Sequence, residues 1–155
     1  MKTQSGTLIG IARREASRAP MEELPEAEVT LERGVAGDSR GRRRPRAHND
    51  RQVTLMSAEA WARACAELGA ELAWTCRRAN LLVEGLELAG TAGARIDIGE
   101  LMLEVTEECD PCARMDEQHP GLAGALVPDW RGGVACRILR PGRIGLGDRV
   151  RLSYP

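Results

Sequence analysis

Two cysteines three residues apart, Cys109 and Cys112, stand in the run Glu107-Glu108-Cys109-Asp110-Pro111-Cys112-Ala113-Arg114-Met115, directly after the alternating segment Leu101-Met102-Leu103-Glu104-Val105-Thr106. The alternation predicts a half-buried strand, so the thiols fall where a strand ends, rigid enough to aim a sulfur and open enough for a ligand to reach it. A thiolate at such a place can act as a nucleophile or ligate a metal. Cys112, preceded by Pro111 and followed two residues later by Arg114, a cation able to stabilise a thiolate, is the candidate nucleophile and the candidate metal ligand. Cys109 is either a resolving thiol or a packing residue. For both, a buried and inert thiol is the plain alternative.

Other dithiol chemistries fit the pattern less well. A structural zinc site needs four ligands, and Cys65, Cys76 and Cys136 supply no matching second pair. A thioredoxin-like motif needs a strand-helix-strand unit on a parallel sheet, whereas the segments around Cys109 read as a meander. His48 and His119 have no His-x-Glu or His-x-x-x-His spacing, which leaves no zinc hydrolase signature. Five cysteines, an odd number without an export signal, argue for reduced thiols rather than a disulfide framework.

The second chemical resource is arginine. Lys2 is the only lysine among 22 basic residues, so nearly every cation is a planar fork suited to phosphate or carboxylate. Arg51, Arg77 and Arg78 flank predicted strands and can serve either as anion ligands or as ordinary surface charge. Asn80 opens a strand and can orient a ligand or satisfy its own turn; Asp38, after Gly37, can bind a ligand or make the turn. The run Arg40-Gly41-Arg42-Arg43-Arg44-Pro45-Arg46 cannot bury itself and is expected to be solvated, mobile or ordered by an anion.

These residues need a frame. Gly6 to Ile11, Glu26 to Leu31, Arg51 to Met56, Ala79 to Glu84, Ala94 to Ile98, Leu101 to Thr106, Val134 to Leu139 and Arg149 to Ser153 read as about eight short strands, with a polar loop from Arg13 to Pro25. Ser57 predicts the N-cap of a helix over Ala58 to Leu68, stopped by Gly69. A second turn or short helix is expected around Glu71 to Thr75, and short helices at Ala113 to Gln118 and Leu122 to Val127, these two split by His119-Pro120-Gly121. Without regular strand-helix alternation, the pattern predicts a mainly β, barrel-like, largely antiparallel fold in one domain spanning 1–155.

Bulk properties exclude several functions. The net charge of -1 provides no field for nucleic acid or an anionic membrane, and 3% aromatics weaken base stacking. No window approaches the roughly 20 apolar residues of a membrane helix, so the chain reads as soluble and cytoplasmic.

Several motifs stand in one order: Gly34-x-x-Gly37-Asp38, Arg51-Gln52-Val53-Thr54-Leu55, Arg77-Arg78-Ala79-Asn80-Leu81-Leu82-Val83-Glu84-Gly85-Leu86, Cys109-x-Pro111-Cys112, and Arg131-Gly132-Gly133 followed by Gly145-x-Gly147-Asp148. Together they resemble a small stand-alone MOSC domain, named for the C-terminal part of molybdenum-cofactor sulfurases, over Gly6 to Leu152. The resemblance implies a β-barrel whose functional cysteine falls on Cys112, and sulfur or molybdenum-cofactor chemistry. It implies either a sulfur carrier, with a cysteine desulfurase as donor, or a cofactor-binding protein that reduces N-hydroxylated compounds with an electron-transfer partner. It also places Arg51, Arg77 and Arg78 near the site and favours a ligand role for Asn80. Ser39 departs from the family, where a basic or aromatic residue is common; Arg40 or Arg42 is the natural substitute. Sulfurases joined to such domains use pyridoxal phosphate, but Lys2, the only Schiff-base candidate, sits in a terminus, so no pyridoxal chemistry is expected in this chain. The different-class alternative is a non-catalytic module that recognises a phosphate-bearing small molecule or a protein partner through its arginines.

Overall fold

In the computed structural model, residues 2–44 and 48–154 are described; Pro45 and Arg46 of the arginine run lie outside them. The chain begins with the long strand β1 (Thr3–Arg13), followed by β2 (Glu22–Glu23), β3 (Glu26–Thr30), β4 (Gly34–Val35) and β5 (Val53–Ser57). Helix α1 (Ala58–Leu68) follows at once, and after a 3-10 turn over Trp74–Cys76 come β6 (Leu81–Glu84), β7 (Arg95–Ile98) and β8 (Leu101–Glu108). Two one-turn helices, α2 (Met115–Gln118) and α3 (Leu122–Ala125), and a 3-10 turn over Pro128–Trp130 lead to β9 (Val134–Arg140), β10 (Gly142–Gly145) and β11 (Arg149–Ser153).

Seven of these strands close a barrel in the order β1, β11, β7, β8, β9, β5, β6 and back to β1, so no strand of the ring keeps a free edge. Every pairing in the ring is antiparallel except β5 with β6, where Leu55, Met56 and Ser57 run alongside Leu81, Leu82 and Val83. A parallel pair needs a long crossover, and α1 with the segment after it supplies one. Strands β10, β3 and β4 form a separate small sheet.

The mainly β barrel expected from the spacing is present, and all eight anticipated strands form. The structure adds β2, β4 and β10, which are too short or too glycine-flanked to show alternation. The stretch from Arg13 is not wholly loop: β1 continues through Arg13, which pairs with Glu22. The turn or short helix expected around Glu71 to Thr75 is a single 3-10 turn, shifted to Trp74–Cys76.

Inward side chains fill the barrel: Leu8, Leu55, Leu81, Ile96, Leu103 and Cys136 belong to one continuous buried cluster. A second cluster forms outside the ring, where Trp61 and Ala64 of α1 pack with Met56, Leu82, Met115, Leu122 and Leu126. Helix α1 starts where Ser57 Oγ accepts the Ala60 N–H at 3.2 Å, and it ends on Gly69, whose φ of 65° suits a residue without a Cβ. The second cluster fastens α2 and α3, and with them the chain after Cys112, to the barrel wall. No helix among the described residues is long and apolar enough to cross a membrane.

Candidate functional site

Strand β8 delivers the first thiol. Its last residue is Glu108, and the Cys109 N–H then donates to the carbonyl of Gly133 at 2.8 Å, tying the strand end to the Gly132–Gly133 turn before β9. Arg77 reinforces that tie. Its Nη2 donates to the carbonyls of Cys109 at 2.9 Å and Gly132 at 3.0 Å, and its Nε also reaches Gly132 at 3.2 Å. Gly132 is required here by close approach, since a Cβ would press into the Cys109 carbonyl and the Arg77 guanidinium.

The two thiols differ sharply. Cys109 is 3% exposed, with Arg51 Nη2 3.7 Å from its Sγ, whereas Cys112 is exposed at the surface of the loop. Burial pushes the Cys109 thiol up, against the opposing pull of Arg51 and Arg77. At neutral pH Cys109 is therefore a protonated, shielded thiol, and Cys112 is the one a ligand can meet.

Both cysteines line a cleft of about 910 Å³ whose other walls carry Arg14, Asp38, Arg40, Arg51, Arg77, Arg78 and Asn80. Cys109, Cys112, Asp38, Arg51, Arg77, Arg78 and Asn80, singled out from the sequence, therefore line one cavity, whereas Arg114 does not, and they do different things there. Asn80, buried, spends its amide on the frame: Oδ1 accepts the Thr54 N–H at 3.1 Å and Nδ2 donates to the Ala12 carbonyl at 3.2 Å, joining β5, β6 and β1. Asp38 Oδ1 accepts the Arg14 N–H at 2.9 Å, and the Ser39 N–H donates to the Arg14 carbonyl at 2.8 Å, which closes the turn after Gly37 onto the end of β1. Arg51 pairs with Glu107 at 3.3 Å on the rim. Arg77 is committed to the two carbonyls just described.

Arg78 and Arg14 are left over. Neither guanidinium makes a hydrogen bond or ion pair with a described residue, although Arg14 is only 6% exposed. Burial and then the like charges of Arg40, Arg14 and Arg114 push Arg78 down to about 10; Arg14 is lowered by burial and by Arg40, partly offset by Asp38. Both remain cations at neutral pH, so Arg14, Arg40 and Arg78 crowd one part of the cleft wall, where Asp38 is the carboxylate that acts on Arg14. That is an arrangement suited to an anion.

Arg14 was not anticipated from sequence, because it follows the strand pattern of β1 without periodicity or motif. Arg40, noted in the arginine run and as a substitute for the departure at Ser39, is in the cleft wall. The remaining cysteines stay apart from it: Cys136 lies in the barrel core, while Cys65 and Cys76 pack at the second cluster. His48 is exposed and outside the cleft lining. Among the described residues there is no group of three or more His, Cys, Asp or Glu side chains placed to hold a metal ion by themselves.

A family model for the MOSC domain matches residues 42–151. The fold is similar to that of the YuaD protein from Bacillus subtilis, with a TM-score of 0.83 at 22% identity over 99% of each chain. It is also similar to YiiM from Escherichia coli, with a TM-score of 0.70 at 16% identity over 96% of this chain and 70% of that one. YiiM from Geobacillus stearothermophilus gives 0.67 at 17% identity over 96% and 73%. No curated protein matches significantly.

Proposed function

Because this chain belongs to the MOSC domain family, we propose that it carries sulfane sulfur as a persulfide on Cys112 for a phosphate-bearing ligand of the molybdenum-cofactor class. One observation carries this reading: the exposed Cys112 opens onto the same cleft as the unpaired guanidiniums of Arg14 and Arg78. A thiol supplies the sulfur chemistry, and guanidinium forks supply the grip on phosphate. A molybdenum cofactor fits that donor set, being a phosphate-bearing pterin around a metal that takes thiolate ligands. A cleft of about 910 Å³ lies within the range of ordinary cofactor sites.

In this reading Arg14 and Arg78 hold the phosphate, Arg51 guards the rim, and Arg77 and Asn80 hold the frame. The cofactor, when bound, would supply two-electron redox chemistry at its metal. The chain's own part is to position the ligand by charge and to present the Cys112 sulfur. Pyridoxal chemistry is assigned to the donor, a cysteine desulfurase, acting with this protein in the cytoplasm.

Incubation with a cysteine desulfurase and cysteine tests the carrier role by intact mass. A gain of one sulfur that disappears in Cys112→Ser is expected, and no gain in the wild-type protein overturns it. The cleft is much larger than a persulfide requires, which favours a second reading in which Cys112 ligates molybdenum directly. That reading requires molybdenum to copurify when cofactor biosynthesis is intact, and to be lost in Cys112→Ser. A purely non-catalytic binding module instead predicts unchanged affinity for a phosphate-bearing ligand in Cys112→Ala.

A further inference from the structure

The guanidinium cluster of Arg14, Arg40, Arg78 and Arg114 constrains what can bring sulfur to Cys112. Arg14 is a buried cation, 6% exposed, with no partner for its guanidinium among the described residues, and it lines the cleft into which the thiol opens. Arg78, half-buried beside it, is equally unpaired. Of the carboxylates in the cleft wall, Glu107 is engaged by Arg51 and Asp50 by Arg137, at 3.3 Å and 2.7 Å, Asp110 is hydrogen-bonded to Glu108, and Asp38 accepts the Arg14 backbone N–H. Unmatched, desolvated guanidiniums bind an oxyanion strongly, and only a donor with its own negative charge uses them.

We propose, on the basis of the carrier reading, that the cleft accepts a small sulfane-bearing oxyanion of the thiosulfate class as a direct sulfur donor to Cys112. The oxyanion end docks on Arg14 and Arg78, with Arg40 in the same wall and the charge of Arg114 felt by both, and the outer sulfur faces the thiol. The Cys112 thiolate attacks that outer sulfur. A sulfur–sulfur bond forms at Cys112 Sγ while the sulfur–sulfur bond of the donor breaks, and the bonding pair leaves with sulfite. One thiolate and one thiosulfate dianion give one persulfide anion and one sulfite dianion, so atoms and charge balance without an oxidant, reductant or proton. The arginines serve this step twice, orienting the dianion and stabilising the departing sulfite. Because the acceptor's phosphate draws on the same cations, donor and acceptor occupy the cleft in turn.

The test is single-turnover loading of the full chain with sodium thiosulfate, following sulfite release and the mass of the Cys112 peptide, beside a parallel loading by cysteine desulfurase and cysteine. The expected result is saturable sulfite release, one sulfur gained on Cys112, competition by inorganic phosphate, and none of this in Cys112→Ser. Arg78→Met should raise the thiosulfate concentration for half-maximal rate roughly tenfold or more, the usual consequence of losing a charge-assisted contact. Arg78→Lys should recover part of that loss, and a thermal unfolding midpoint near that of the wild type separates lost binding from lost fold. Loading by the desulfurase but not by thiosulfate overturns this proposal and leaves the carrier reading standing; loading by neither overturns both. Thiosulfate loading that is indifferent to phosphate and to Arg78→Met overturns the arginine docking.

Discussion

At the scale of single residues, the contrast between Cys109 and Cys112 matters more than their shared motif. Cys109 is shut behind the Arg77 ties to its own carbonyl and that of Gly132, and its thiol is raised by burial; Cys112 stands in solvent. Thiolate fraction and access both set alkylation rate. Iodoacetamide at neutral pH should therefore modify Cys112 before Cys109, with Cys136 protected until the barrel unfolds. Peptide mass spectrometry over time reads the order, and early modification of Cys109 would mean that the Arg77 clamp opens readily. The same clamp explains why Arg77 and its neighbour Arg78 diverge: one is spent on backbone carbonyls, the other is available to a ligand.

At the scale of elements, the one parallel junction of the ring is where β5 runs beside β6, whose other edge pairs with the end of β1. Asn80 and Thr54 hold it. The Asn80 N–H donates to Thr54 Oγ1 at 3.1 Å while the Asn80 amide bonds the Thr54 N–H and the Ala12 carbonyl. Removing that amide leaves buried backbone groups unsatisfied, at about 1–3 kcal/mol for each. Asn80→Ala should lower the unfolding free energy by about 2–4 kcal/mol in denaturant titration. A side chain serving only a bound ligand would leave the stability of the free protein unchanged, so the measurement divides the two roles.

For the whole molecule, a closed barrel keeps thiols protonated that would ionise in the unfolded chain. Burial raises Cys109 and, much further, Cys136. A raised thiol binds its proton more tightly folded than unfolded, so its contribution is complete below the unfolded value of about 8.5 and is lost as pH climbs from there through the folded value. The stability of the protein should fall between about pH 8.5 and pH 10, by at most about 1.4 kcal/mol per pH unit for each such group. Thermal midpoints measured across that range check the slope, and Cys136→Ala should flatten it.

Much of this protein is written in its local sequence. Period-two alternation marks β3, β7, β8 and β11, and Ser57 and Gly69 bracket α1, because these signals depend only on neighbours along the chain. The prominence of Cys112 and the interest of Arg51, Arg77, Arg78, Asn80 and Asp38 are equally legible as residue types at particular spacings. What each of them does is not. The closure of β1 on β11 and the parallel β5–β6 pair are contacts between distant segments, and they decide that Asn80 clamps strands and that Arg77 holds the thiol loop. Arg14 became visible as a site residue only through folding, since nothing local marks it and its meaning lies in being buried, unpaired and across the cleft from Cys112. Local chemistry nominated Cys112 as the candidate thiol; the barrel's long-range pairings determined which arginines were left without partners in the same cleft.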